Sequence, residues 1–199
     1  MRLDRSFFER DAVAVAKDLL GCFFVQNLKS NQIVGRIVET EAYGDATDLA
    51  SHARFGPTPR SQIMFGPAGV LYVYKIYGIF SLANIVCGKT GEASAALIRA
   101  AEIVAGEVIA RRNLAQSKFV KLNEQPATGP GKFSLALGID TGHNGTDLAA
   151  SPHLYLTRSP AGTEFKIATT TRIGVDYAKD SKDLPWRFYI KDSPFVSKR

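Results

Sequence analysis

Between positions 70 and 87 the chain carries two runs of branched and aromatic residues, VLYVYKI and IFSLANIVC, parted only by Tyr77-Gly78. A two-residue break ending in glycine is the length of a tight hairpin turn, so the runs read as antiparallel strands over residues 70–76 and 79–87. Residues 22–28 and 33–43 read as a second strand pair around a Lys-Ser-Asn turn cluster. Residues 95–100, 153–158, 163–168 and 187–190 are further strand candidates. Helices intervene. Residues 7–20 read as one, because Ser6 and Glu9 have capping-box spacing and Ala12, Val15, Ala16 and Leu19 recur at helical intervals before Gly21. Residues 103–114 read as another, and Gly129-Pro-Gly-Lys132 opens a short third through Leu137. Hairpins with interspersed helices, not alternating strand–helix–strand units, predict an α+β fold. The expected architecture is one mixed domain over residues 1–199, built on a curved antiparallel β-sheet with a protruding β-hairpin and surrounding helices. Residues 44–69 hold Gly, Pro, Asp, Thr and Ser without sustained periodicity and read as a long loop, which in a compact domain is usually functional.

Composition narrows the class. With 45% hydrophobic and 22% charged residues the chain is an ordinary globular protein, and disorder, collagen and coiled coil are excluded. No apolar run approaches the roughly 18 residues of a membrane span. The opening MRLDRSFFERDAV is charged throughout and lacks the apolar core of a signal peptide. A cytoplasmic protein is expected, or a nuclear one in a eukaryote. Cys22 and Cys87 lie inside apolar runs and read as reduced core residues. His52, His143 and His153 share no ligand spacing, so no metal is expected. The 25 Lys and Arg against 19 Asp and Glu give a net charge of +6, which suits a polyanion such as nucleic acid.

Val38-Glu39-Thr40-Glu41-Ala42-Tyr43 is the segment richest in chemistry. On a strand, Val38, Thr40 and Ala42 face one side, and Glu39, Glu41 and Tyr43 the other. Two carboxylates about 7 Å apart beside an aromatic ring suit hydrolysis at a sugar's anomeric carbon. Taken alone, the segment reads more simply as a solvated strand face with two acids that do no chemistry. Tyr77 at the hairpin tip either packs back along the hairpin or stands out as a wedge of the kind that parts base steps. Tyr43 and Tyr74 could stack on a base, whereas Tyr72 reads as core. Arg99, inside the apolar run Ala-Leu-Ile-Arg-Ala, needs an anionic partner if buried. Glu41 is the natural candidate, with Glu39 or Glu102 as structural alternatives. Asn84 would read a base edge or satisfy nearby backbone. Thr128-Gly-Pro-Gly-Lys-Phe-Ser134 fails as a phosphate loop, because Pro126 and Phe133 stand where Gly and Ser or Thr are needed. Its helix N-terminus could still receive a DNA phosphate, assisted by Lys132.

Seven segments in order resemble the alkyladenine (3-methyladenine) DNA glycosylase family over residues 5–197. They are VETEAY, ASHARFGPTPRSQIMF, GVLYVYKIYGIFSLANI, ALIRA, TGPGKFSLALGI, RIGV and RFYIKDSPFVS. The resemblance implies that Glu41 is the general base and that Arg99 positions the attacking water with it. It also implies that Tyr43, His52 and Tyr74 sandwich an extruded base, that Asn84 disfavours guanine's 2-amino group, and that Tyr77 fills the gap left in the duplex. Ile79 stands beside the wedge where some relatives have Met. The implied enzyme is a monofunctional hydrolase without metal or other cofactor. It acts on double-stranded DNA containing damaged purines (3-methyladenine, 7-methylguanine, hypoxanthine or ethenoadenine) and leaves an abasic site. A monomer is expected, since lesion search favours one. Two other readings use the same residues: a hydrolase of free nucleosides, for which the wedge has no purpose, and a non-catalytic nucleic-acid binder with an aromatic stacking platform.

Overall fold

A computed structural model describes residues 1–120, 125–159 and 162–198. Among these residues eight strands form one antiparallel sheet that curls into a half-barrel: β1 (Phe23–Leu28), β2 (Asn31–Tyr43), β3 (Leu71–Ile76), β4 (Phe80–Cys87), β5 (Ser94–Ala105), β6 (Leu154–Thr157), β7 (Ile167–Thr170) and β8 (Arg187–Ile190). The main path runs β3-β4-β5-β2-β1-β6. Strand β2 is long enough to take two neighbours on one edge. Its first half pairs with β1, and Glu39, Thr40 and Glu41 pair with β8. Strand β5 covers the other edge, with bulges on either side of Glu39. The acidic segment therefore lies at the sheet's centre, and both of its faces are buried.

Among the described residues four short helices flank the sheet: α1 (Arg5–Phe8), α2 (Ala12–Asp18), α3 (Glu107–Ala115) and α4 (Pro130–Leu137). Thr40 Oγ1 donates to the Ala16 carbonyl at 2.7 Å, which fixes α2 against the Val38–Thr40–Ala42 side of β2. Phe133 of α4 meets Phe24 of β1 edge-on, with ring centroids 5.5 Å apart. Helix α4 approaches β4 so closely that a Cβ on Gly131 would fall 2.8 Å from the Phe80 ring. Only glycine permits that approach, and it carries the first turn of α4 to the mouth of the site described below.

Three sequence expectations need correcting. The single helix over residues 7–20 is two helices, broken between Phe8 and Ala12. The cause is capping: Asp4 accepts from Phe7 N, and Asp11 from Val13 N and Ala14 N, so each aspartate starts its own helix. Ser6 does not cap; its hydroxyl donates to Asp4. The helix expected from residue 103 begins at Glu107, because Val34, Gly35 and Arg36 keep β5 paired through Ala105. Gly106 makes the switch at φ +75°, where a Cβ would lie 2.3 Å from the Gln32 carbonyl oxygen. The strand expected over residues 163–168 is β7, Ile167–Thr170, set by its register against β8. The remaining strands lie within a few residues of expectation, and the long loop holds two short 3₁₀ turns, His52–Phe55 and Gln62–Phe65. Cys22 and Cys87 are free and buried, and burial raises both thiol pKa values. Among the described residues no helix is long and apolar enough to cross a membrane.

Candidate active site

Strands β2 to β5, the long loop and the segment after β7 enclose a cavity of about 660 Å³. That volume is within the usual range for small-molecule sites. Tyr43, His52, Tyr74, Tyr77, Asn84 and Arg99 all line it. The fold thus brings six of the eight expected site residues to one concavity. Glu41 and Lys132 are not lining residues. Lys132 lies in the first turn of α4, beside Pro130 and Gly131, which are.

Glu41 lies directly behind the wall. Its side chain is fully buried, and three groups enclose the carboxylate. The Ile173 amide donates to Oε1 at 2.8 Å, and the Tyr43 hydroxyl and Arg99 Nη1 donate to Oε2 at 2.9 and 3.2 Å. Tyr43, Arg99 and Ile173 all line the cavity, so the carboxylate is one side chain removed from it. The solvated-face reading of the acidic segment is overturned.

Arg99 binds Glu41, the partner expected for it, and also Glu39, one of the two alternatives. Its Nε donates to Glu39 Oε1 at 3.0 Å while Nη1 reaches Glu41. Glu102 pairs instead with Arg36. Burial opposes the Arg99 charge, but the two carboxylates outweigh it and hold its pKa above the ordinary value. Glu39 is equally buried and more heavily bound. It accepts from Arg187 Nε at 2.7 Å, from Ser197 N at 2.6 Å and from Ser197 Oγ at 2.9 Å. One guanidinium therefore links two buried acids, and the second acid is fastened to β8 and the C-terminal segment.

The aromatic walls have charged and polar partners behind them. The Arg172 guanidinium sits 4.8 Å from the Tyr43 ring centroid and 5.2 Å from that of Trp186. It is paired with both oxygens of Asp48 at 2.6 and 2.8 Å, wholly out of solvent. His52 Nδ1 shares a 2.8 Å hydrogen bond with the Tyr72 hydroxyl, and its ring meets Tyr74 edge-on at 4.7 Å. Burial, followed by the nearby charges of Arg60 and Arg54, lowers the His52 pKa to about 4, so the imidazole is neutral at pH 7. Burial likewise pushes the Tyr74 hydroxyl up to about 12 and Tyr43 well above its usual value. Asn84 is buried, and its amide nitrogen donates to the Tyr72 and Leu82 carbonyls at 3.2 and 3.3 Å. It therefore both satisfies backbone and faces the cavity.

Tyr77 does not pack back along the hairpin. It is 86% exposed at the rim. Tyr77 and Gly78 have φ +54° and +69°, the mirror-image turn that matches strand twist, and Ile79 N closes it on the Ile76 carbonyl at 3.1 Å.

Sequence reasoning missed several groups around the site. Tyr72, read as core, is the hydrogen-bond partner that orients His52. Arg172, Asp48, Arg187 and the Ile173 amide had no local signal as site residues. For Arg172, Ile173 and Arg187 the one signal was membership in the segments RIGV and RFYIKDSPFVS, which carried the resemblance, whereas Asp48 lies outside all seven segments.

The chain is similar to known proteins over nearly its whole length. A family model described as methylpurine-DNA glycosylase matches residues 6–194. A protein of Natranaerobius thermophilus is 42% identical over 99% of both chains. One from Methanocella arvoryzae is 46% identical over 99% of this chain and 96% of its own. A third, from Legionella pneumophila, is 43% identical over 99% and 98%. Each of the three carries the name "Putative 3-methyladenine DNA glycosylase".

Proposed function

Because the chain belongs to the methylpurine-DNA glycosylase family, whose members hydrolyse N-glycosyl bonds, we propose that it excises alkylated or deaminated purines from duplex DNA with Glu41 as general base. The observation that carries this reading is a buried carboxylate held by three groups of a cavity wall, with aromatic rings in front of it and an exposed tyrosine at the rim.

The target carbon, C1′, is shielded in the duplex, so the nucleotide swings out first, at a cost of a few kcal/mol that damaged or mispaired bases lower. Tyr77 enters the vacated stack. The base stacks among Tyr43, Tyr74 and His52, and Asn84 borders its edge. An alkylated purine is cationic, and aromatic faces favour a cation by about 0.5–2 kcal/mol. The neutral His52 adds no opposing charge. Glu41 then takes a proton from water as the water oxygen bonds to C1′, and the base leaves with the electron pair of the broken C1′–N bond. Arg99 holds the carboxylate while its own charge is balanced by Glu39. Lys132 and the first turn of α4 supply a phosphate contact. The partner is double-stranded DNA carrying a damaged purine, and the enzyme acts as a monomer.

The reading is tested with duplex oligonucleotides carrying one 3-methyladenine, 7-methylguanine, hypoxanthine or ethenoadenine, incubated with the protein and then cleaved at abasic sites with alkali. Strand cleavage only after alkali, with no release of base from the free nucleosides, is expected. Binding to lesion duplexes without base release would make the protein a stacking platform, and turnover of free nucleosides would make it a nucleosidase.

A further inference from the structure

The site as it stands poses a physical problem. A general base must touch the water it deprotonates, at about 2.6–3.2 Å, yet the Glu41 side chain has no exposed surface. Each of the three groups on its oxygens comes from a residue that lines the cavity, and Glu41 itself does not. Bulk water does not touch the carboxylate in this arrangement, and withdrawal of any one of the three would open it toward the cavity.

Two of them are pinned. Arg99 is held from its far side by Glu39 at 3.0 Å. The Ile173 amide is main chain adjoining Arg172, which is bound to Asp48, to the Ala42 carbonyl at 2.9 Å and to the Ser181 carbonyl at 2.9 Å. The Tyr43 hydroxyl differs. It is the tip of a side chain that turns about two torsions, and its hydrogen bond is to Glu41 Oε2. The same ring forms part of the cavity wall, with Arg172 behind it. A flat ligand in the cavity presses on that ring.

Resting on the glycosylase reading above, we propose that the Tyr43 hydroxyl is a gate on Glu41: it occupies the position from which water binds the carboxylate, and a base stacking on the Tyr43 ring withdraws it and admits the nucleophile. Stacking and water activation are thereby coupled through one residue. A base that stacks poorly leaves the gate shut, so Tyr43 discriminates against undamaged bases at the chemical step as well as at capture.

The Tyr43→Phe variant tests this, because it keeps the ring and removes the gate. Single-turnover excision is measured under enzyme excess for whichever of the four lesions wild type excises fastest and for an undamaged purine placed in a mismatch, with the thermal midpoint checked against wild type. The gate predicts that the ratio of the two rate constants narrows by about 10-fold, chiefly because excision of the undamaged purine rises. An unchanged or wider ratio overturns it, as does an equal fall in both rates, which would make the hydroxyl a fixed support for Glu41. Should wild type excise none of the four lesions named above, the glycosylase reading fails and the gate with it. Should wild type excise a lesion while Tyr43→Phe keeps its ratio, the gate alone fails. Tyr43→Leu separates stacking from gating: it loses the ring, and its expected defect is weakened lesion-duplex binding, which Tyr43→Phe does not share.

Discussion

At the scale of single residues, Glu39 and Glu41 show how little a strand pattern says about burial. Both acids lie on one side of β2, both are fully buried, and both bind Arg99. Glu41 differs by its neighbours, since it alone of the pair is bound by Tyr43 and Ile173. His52 gives a test at this scale. Its pKa in the folded protein is about 4 against an ordinary 6.5. Between those values the unfolded chain takes up a proton that the folded chain refuses, so the contribution is complete above pH 6.5 and is lost as pH falls toward 4. Urea midpoints at pH 7 and pH 4.5 should therefore fall further for wild type than for His52→Gln. The composition of this cluster was legible in the sequence, because Glu-Thr-Glu-Ala-Tyr and a lone Arg in an apolar run each demand an explanation. The partners that complete it were not, since Arg187 and Ser197 lie 148 and 158 positions from Glu39 and only the closed sheet joins them.

At the scale of elements, the hairpin holds a conformation its tip residue does not prefer. The first turn position, at φ +54°, is occupied by a tyrosine where Asn or Gly is usual. Left-handed backbone costs a residue of this kind about 1–2 kcal/mol, and such costs persist where the side chain has a task. Tyr77→Asn should therefore leave the thermal midpoint unchanged or raised. Its affinity for lesion duplex should drop by about 5- to 150-fold, the equivalent of losing one stacked base at ~1–3 kcal/mol. Calorimetry and equilibrium binding on the same preparation check both halves. The hairpin was legible because a two-residue break ending in glycine between two strand-like runs is the length of a tight hairpin turn. The boundary at Gly106 was not, because residues 103–105 carry an apolar pattern that serves helix or strand, and pairing with β2 decided it. The break between α1 and α2 was missed for a different reason: Asp4 and Asp11 outcompete the Ser6–Glu9 spacing by reaching backbone amides.

At the scale of the whole molecule, the site is closed by segments far apart in sequence. Arg172 fastens the segment after β7 to Asp48 in the long loop and to the end of β2. Removing one member of such a buried pair leaves an unpaired charge and costs about 3–5 kcal/mol. Asp48→Ala should lose stability of that order in urea unfolding. The net charge of +6 predicts that affinity for duplex DNA falls steeply with salt. A titration of binding at 50 and 200 mM salt checks it. The central claim remains the role of one carboxylate. It is tested most directly by the single-turnover rate of hypoxanthine release from a duplex, under enzyme excess, for wild type and Glu41→Gln. A fall of about 10²- to 10⁴-fold with duplex binding retained is the predicted result, and equal rates for the two proteins would contradict it.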